Sequence, residues 1–143
     1  MKLITRDTDY AIRALSCIAA SEGGMITVSH LSDELYIPRP FLRKIFQILN
    51  KAGLLKSFKG KGGGFSLVEK PGKITIFDLV EIFQGPFRLS DHTFKGATCP
   101  HIELCYLRKK LDNIEKDIAK ELKSITIASL VKNGCDYGET KNN

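Results

Sequence analysis

The sequence lacks the features that would place the protein in or across a membrane. None of its 143 residues belong to an apolar run long enough to span a bilayer. The segment MKLITRDTDYAIRAL at the start of the chain contains no apolar stretch of the kind that directs secretion. We therefore expect a cytoplasmic protein with no membrane partner, in a compartment where structural disulfides are disfavoured.

Sequence signatures of common enzymes are also missing. There is no G-x-x-x-x-G-K-[ST] phosphate loop, no C-x-x-C pair and no recognisable Ser/His/Asp arrangement. Internal repeats and low-complexity segments are absent as well. The composition, 43% hydrophobic and 27% charged, is that of one globular domain with an appended arm. We expect a protein that is not an enzyme.

Acidic residues are missing from one long segment. Residues 37–68 carry seven basic and no acidic side chains, whereas residues 1–36 have a net charge of −2 and residues 69–143 of +1. A solvated surface normally mixes charges of both signs. We call residues 37–68 the basic segment, and its charge predicts a polyanionic partner, most simply nucleic acid.

Apolar periodicity predicts three helices in about the first 51 residues. The first begins at Asp7 or Thr8, the second follows Thr27 or Ser29, and the third runs over about residues 40–51, after the turn-forming Pro38. The apolar face expected for the third helix consists of Phe41, Leu42, Ile45, Ile48 and Leu49.

The opposite face of the third helix carries residue types that reach phosphates and base edges. Arg39, Arg43, Gln47 and Lys51 recur at intervals of four, with Lys44 beside them. Two helices joined by a short turn form the helix-turn-helix pattern of DNA-binding proteins. Considered alone, this helix fits a recognition helix and an ordinary basic surface helix about equally well.

The segment after this helix favours DNA binding. Two strand-like pieces in about residues 54–68 flank a glycine-rich turn that contains Gly62 and Gly63, and Lys56, Lys59 and Lys61 project from the hairpin. The expected fold is mainly α with a small β-hairpin wing, a winged helix-turn-helix over residues 1–85. A glycine turn that cradles a nucleotide is the lesser alternative, because no strand leads through it into a helix.

The remainder of the chain predicts a loop, a long helix and a tail. Residues 86–102 form the loop, residues 103–132 the long helix with a short terminal helix, and residues 133–143 a flexible tail. A heptad-like stripe predicts a dimer interface, formed by Leu107, Leu111, Ile114, Ile118 and Leu122. Packing of this stripe on the chain's own domain remains an alternative.

The loop contains Cys99 and Cys105, with His92 nearby. These residues alone are compatible with a metal or cluster site, a disulfide or two unremarkable thiols.

Several motifs together resemble the Rrf2 family of bacterial winged-helix regulators. They are DYAIRAL, the wing sequence KGKGGGFSL and the paired cysteines before LRKKL. The family's wing motif is RG-x-x-GGY-x-L, so Lys59 replaces an arginine and Phe65 a tyrosine. The resemblance implies a homodimer that binds a palindromic operator in double-stranded DNA through the third helix, and regulates transcription.

The resemblance also implies an iron–sulfur cluster that senses iron, nitric oxide or redox state. Cys99 and Cys105 match the family's last two cluster cysteines, but His92 and Thr93 stand where the first is expected. We expect Cys99, Cys105 and His92 as ligands, with Asp9 of the partner subunit as a fourth. This mixed set favours a 2Fe–2S over a 4Fe–4S cluster. Alternatives are zinc, a reversible disulfide, or a cofactor-free regulator controlled by thiol oxidation or a partner protein.

Overall fold

The computed structural model describes residues 2–21, 23–91, 93–94 and 97–132, with only the backbone described at 93, 94 and 97. The helices and strands, in chain order, are α1 (Arg6–Ala20), β1 (Met25–Ile26), α2 (Val28–Leu35), α3 (Arg39–Lys51), β2 (Leu55–Phe58), β3 (Gly64–Leu67), α4 (Ile76–Gln84), β4 (Thr93–Phe94), β5 (Ala97–Thr98), α5 (Tyr106–Ser124) and α6 (Ile127–Lys132). No helix in this part of the chain is long and apolar enough to cross a bilayer.

The helix-turn-helix is formed by α2 and α3. Thr27 caps α2, because its side-chain oxygen accepts a hydrogen bond from the backbone N–H of His30. Pro38 and Pro40 bracket the start of α3, where a missing backbone N–H carries no penalty. The mainly α fold, with α3 within one residue of its predicted start, is confirmed.

The wing belongs to a three-stranded antiparallel sheet in the order β1–β3–β2. The hairpin β2–β3 pairs Leu55 with Leu67 and Phe58 with Gly64. β1, which the sequence did not predict, pairs with the other edge of β3. This third strand attaches the base of the wing to the segment between α1 and α2.

One hydrophobic core joins the helix-turn-helix to the carboxyl end of the described chain. Leu15 of α1, Leu42 and Leu49 of α3, Leu79 of α4 and Ile127 of α6 are all inaccessible to solvent. Two backbone hydrogen bonds attach α6 to the segment before α4: Ile76 N–H to Ile125 O, 2.9 Å, and Ile127 N–H to Ile74 O, 2.9 Å. After α5, the chain therefore packs against the core of the winged helix-turn-helix again.

Gln84, at the end of α4, fixes the start of α1. Its side-chain oxygen accepts hydrogen bonds from Thr5 N–H (3.1 Å) and from the hydroxyl of the buried Thr8 (2.8 Å). Its side-chain nitrogen donates to Leu3 O at 3.2 Å. The first helix thus begins earlier than expected, with Thr5 as its N-cap residue, and Thr8 is a buried polar group whose hydrogen bond is satisfied.

Candidate nucleic-acid interface and cysteine loop

The polar face of α3 is open to solvent along its whole length. Arg39, Arg43, Gln47 and Lys51 are all exposed. The prediction of the buried face was wrong at three positions, because Phe46 was omitted and two others were included. The face consists of Leu42, Ile45, Phe46 and Leu49. Phe41 is 40% exposed and Ile48 is only half-buried. α3 is therefore held by four apolar side chains and presents a basic face to solvent.

Phe41 and Lys44 contact the first turn of α1 instead. The Arg6 guanidinium lies 5.3 Å from the centroid of the Phe41 ring, a cation–π arrangement. Lys44 Nζ lies 3.3 Å from Asp7 Oδ2. Lys44 is one of the predicted DNA-binding residues of α3. Its acidic neighbour Asp7 already offsets part of its positive charge.

Glycine is required in the turn of the wing. Gly62 has φ 76°, and a Cβ on Gly63 would lie 2.3 Å from Phe58 O, far inside van der Waals contact. The turn is therefore tight, with Lys59 and Lys61 exposed at its tip and Lys56 exposed on β2. Both glycines act through the shape of the turn, which sets where the lysines project.

An aromatic contact fixes the wing against α3. The Phe65 ring of β3 lies 4.6 Å, centroid to centroid, from the buried Phe46 ring, at an interplanar angle of 54°. This contact explains why Phe46 rather than Phe41 enters the core. It also fixes the angle between the exposed face of α3 and the lysines of the wing.

A groove of about 370 Å³ lies where α3 meets the wing. Two of its lining side chains, Asn50 and Ser57, were not among the predicted DNA-binding residues, although both can donate and accept hydrogen bonds. The others are Arg43, Phe46, Gln47, Lys51 and Phe65. Asn50 had a sequence signal, its place beside the basic face, whereas only the fold brings Ser57 to this groove.

The cysteine loop is anchored at the start of α5. Cys105 is the N-cap residue of α5, and its sulfur accepts a hydrogen bond from Arg108 N–H at 3.4 Å. The Arg108 side chain donates back to Ile102 O at 3.2 Å. Because the positive end of a helix dipole favours negative charge, this position suits a sulfur ligand. The contacts of Arg108 with Cys105 and Ile102 thus hold the start of α5 to the end of the loop.

The described residues supply part of the expected cluster site. Cys99 and Cys105 are half-buried free thiols, the ligands that iron–sulfur clusters prefer. His92 lies outside the described residues, as does the tail at 133–143. Asp9 forms an ion pair with Arg13 of its own helix, at 2.9 Å. Within the described ranges, no three His, Cys, Asp or Glu side chains gather as a metal-binding group. The described part of the loop therefore supplies two thiols and no third ligand beside them.

The expected dimer stripe on α5 divides into two parts. Leu122 is buried and Ile118 packs against the core, whereas Leu107 and Ile114 are exposed. Leu111 is half-buried. Leu104, just before α5, is also exposed. The end of α5 nearest the cysteine loop therefore presents an apolar face to solvent.

Comparison with known proteins agrees with this geometry. The profile of the Rrf2 family, described as iron-dependent transcriptional regulators, matches residues 4–133. The chain belongs to the Rrf2 family. The membership expected from the wing motif is confirmed, as is the broader expectation of a transcriptional regulator rather than an enzyme.

Relatives in sequence and in structure cover almost all of this chain. A protein of Aquifex aeolicus (strain VF5), named as an HTH-type transcriptional regulator, is 32% identical over 85% of this chain and 86% of its own length. Protein aau3 of Rhizobium meliloti (strain 1021) is 30% identical over 90% of this chain and 84% of its own length.

Two solved structures share the fold. CymR (YrzC), the global cysteine regulator of B. subtilis, has a TM-score of 0.74 at 22% identity and covers 93% of this chain and 98% of its own. T. potens IscR has a TM-score of 0.73 at 22% identity, covering 100% of this chain and 94% of its own. The winged-helix fold class is thereby confirmed.

Proposed function

We propose that this Rrf2 regulator binds double-stranded DNA as a homodimer, with α3 in the major groove and the wing on the adjacent phosphate backbone. The observation that carries the proposal is the exposed face of α3, which has no acidic residue and borders the lysines of the wing. Arg43 and Gln47, midway along α3 and beside the groove, suit base edges. Lys56, Lys59 and Lys61 suit phosphates, whose contacts position the protein on DNA.

The exposed end of α5 supports a symmetric dimer. An apolar face formed by Leu104, Leu107 and Ile114 next to a charged helix surface is what a second copy of the same helix would cover. Two copies of α3 presented by such a dimer match two half-sites separated by whole turns of DNA, which is why the operator is expected to be palindromic.

The cysteine loop is proposed to hold a 2Fe–2S cluster. The ligands would be Cys99, Cys105 and His92, with Asp9 of the partner subunit as the fourth, after release from Arg13. Arg108 and the exposed Lys109 and Lys110 would offset the negative charge of the site. When bound, the cluster would supply a redox- or nitric oxide-sensitive link between subunits. Cys105 would transmit the change, because it caps the helix that joins them.

A cofactor-free regulator is the second candidate, and the short turn between the two thiols is the observation that favours it. Cys99 and Cys105 are free, half-buried and connected by a short turn in which Ile102 N–H donates to Cys99 O at 3.1 Å. Loss of two electrons and two protons to a peroxide oxidant would join them in a disulfide and yield water and an alcohol or a second water. The Arg108 contact with Cys105 would then be rearranged.

DNA binding is tested by titrating the protein with a labelled duplex over a series of salt concentrations. Lys59→Ala and Lys61→Ala should each weaken binding to all sequences alike, and each should flatten the slope of log affinity against log salt by about one unit. Lys120→Ala, which removes an exposed lysine from α5, is the matched control. An unchanged slope for both wing variants would remove the wing from the interface.

Base reading is tested by selecting preferred duplexes from a random pool. Arg43→Ala should reduce discrimination at one base position by about 1–3 kcal/mol while leaving non-specific binding largely intact. A uniform loss across all sequences would instead assign Arg43 to the phosphate backbone.

The two sensing mechanisms are separated by anaerobic purification. Equal amounts of iron and acid-labile sulfide with a visible absorption band support the cluster, and Cys105→Ser should abolish both. A colourless protein whose duplex affinity changes on treatment with peroxide and recovers with a thiol supports the cofactor-free mechanism. Identical duplex affinity in the loaded and metal-free forms would contradict control by the cluster.

A further inference from the structure

Tyr36 has a backbone conformation that normally favours glycine. It ends α2 with φ 55° and ψ 34°, in the left-handed helical region. Of all the described non-glycine residues, it alone has a positive φ. An L-residue is strained in this region because its Cβ approaches the backbone, whereas glycine is not. The end of α2 therefore needs the conformation but does not need a tyrosine.

No hydrogen bond or ring contact of the Tyr36 side chain within the described chain offsets this strain. Tyr36 is 79% exposed, the second most exposed of the large hydrophobic side chains described. Its hydroxyl has no hydrogen-bond partner and its ring no aromatic or cationic neighbour in the parts of the chain that the structure describes. A strained residue without internal compensation indicates a role outside the fold.

The position of Tyr36 suggests what that role is. It precedes Arg39, the first residue of α3, by three positions, so the two Cα atoms lie at most about 10 Å apart. Tyr36 therefore lies near the end of α3 that begins the exposed basic face, with its side chain open to solvent. In a DNA-bound helix-turn-helix, groups at this end lie beside the phosphates that border the major groove.

We propose that Tyr36 contacts the DNA backbone, with its phenolic hydroxyl donating a hydrogen bond to a phosphate oxygen. This inference rests on the proposed DNA binding. Because the tyrosine is neutral, the contact adds affinity without releasing a counterion. Its signature therefore differs from that of the wing lysines: it acts on all sequences alike and leaves the salt dependence unchanged.

The test uses two variants and two measurements. Fluorescence anisotropy with a mixed-sequence duplex of about 30 base pairs, long enough for two half-sites, gives the affinity at each salt concentration. Thermal unfolding gives Tm. Tyr36→Phe should weaken binding roughly three- to tenfold at every salt concentration with an unchanged slope. Tyr36→Gly should weaken binding at least as much and yet raise Tm by about 2–4 °C, because the strain is relieved.

The control is Tyr10→Phe, which removes a hydroxyl from a half-buried tyrosine of α1 and should leave duplex affinity unchanged. Wild-type affinity in Tyr36→Phe would overturn the hydroxyl contact. A lower Tm in Tyr36→Gly would show that the fold itself uses the tyrosine, which also overturns the inference. If the wild-type protein does not bind duplex DNA even at low salt concentration, the proposed function is refuted, and the role of Tyr36 with it.

Discussion

The two halves of α5 share one apolar stripe but have different surroundings. Near the carboxyl end, Leu122 is 7% exposed and belongs to the core. Near the cysteine loop, Leu107 is 64% exposed and Ile114 is 47% exposed. Half of the stripe packs within its own chain, and the other half is open to solvent. Periodicity therefore identifies an apolar face without identifying what covers it.

The junction between the halves is fixed by Glu115. Its carboxylate lies 2.9 Å from Arg88 Nη1 and accepts a hydrogen bond from Leu89 N–H at 3.0 Å. These contacts attach the segment that leads into the cysteine loop to the middle of α5. A change in the loop can therefore reach the exposed half of α5 from two places, Cys105 at its start and Glu115 near its centre.

The largest effect is expected from Leu122→Ala. This variant removes a buried side chain and should lower the free energy of unfolding by about 2–5 kcal/mol, as is usual for such core truncations. Urea denaturation at several protein concentrations measures it, and the loss should be present at each of them.

Leu107→Ala is the matched control for Leu122→Ala, since it makes the same truncation in the exposed half. Its effect should shrink towards zero at low protein concentration, because only association buries that side chain. If both variants instead lose the same free energy of unfolding at every protein concentration, that result contradicts the difference in burial between the two halves of α5.

Leu107→Asp should separate the subunits while leaving each one folded. A carboxylate in an apolar interface would lose its hydration, and this free-energy cost opposes association of the subunits. The dimer dissociation constant should therefore rise at least about tenfold. Analytical ultracentrifugation measures the change, and circular dichroism verifies the fold. Asn113→Asp adds the same charge at an exposed position of α5 outside the stripe. Equal dissociation in both variants would assign the effect to charge alone.

The sequence predicted most of the local structure of the helix-turn-helix and the wing. The limits of α3 and of the wing hairpin were correct to within one residue, because prolines and glycines mark their ends. The two-residue β1 was missed, since a strand this short carries no alternation and depends on pairing with distant β3. Phe41 and Phe46 both lie near the apolar edge of α3, and only the contact with Phe65 decides between them.

The candidate site was predictable to a similar extent. The basic face of α3 was evident from charge and helical spacing. The pairing of Lys44 with Asp7 and the approach of Ser57 to α3 were not, because tertiary packing brings these segments together. The capping of α5 by Cys105 is a local contact, but cysteine is not one of the residues that usually cap helices. Tyr36 illustrates the same limit, since no local pattern indicates that a tyrosine ends α2 in a left-handed conformation.

A smaller effect is expected from Glu115→Ala. The variant removes the acceptor of a part-buried hydrogen bond from Leu89 N–H, whose partner side chain is 16% exposed, and should cost about 1–2 kcal/mol. The exposed Arg88 contributes less to this loss than the backbone hydrogen bond does. Hydrogen exchange at the Leu89 amide measures the effect, and it should become faster when the segment leading into the cysteine loop is released from α5.

Glu115→Gln is the informative companion to Glu115→Ala. It retains an oxygen acceptor for Leu89 N–H but removes the charge that pairs with Arg88, so exchange at Leu89 should stay close to that of the wild type. Equally fast exchange in both variants would assign the anchoring to the ion pair rather than to the backbone hydrogen bond.

The smallest effect should come from Ile118→Val, at the boundary between the two halves. Ile118 is half-buried and packs against the core, so removal of one methylene group should cost about 0.5–1 kcal/mol. Urea denaturation at low and high protein concentration determines which half the residue belongs to. A loss independent of concentration assigns it to the core with Leu122. A loss seen only at high concentration would place it with Leu107, and the boundary between intrachain and intersubunit packing would then move one turn towards the carboxyl end of α5.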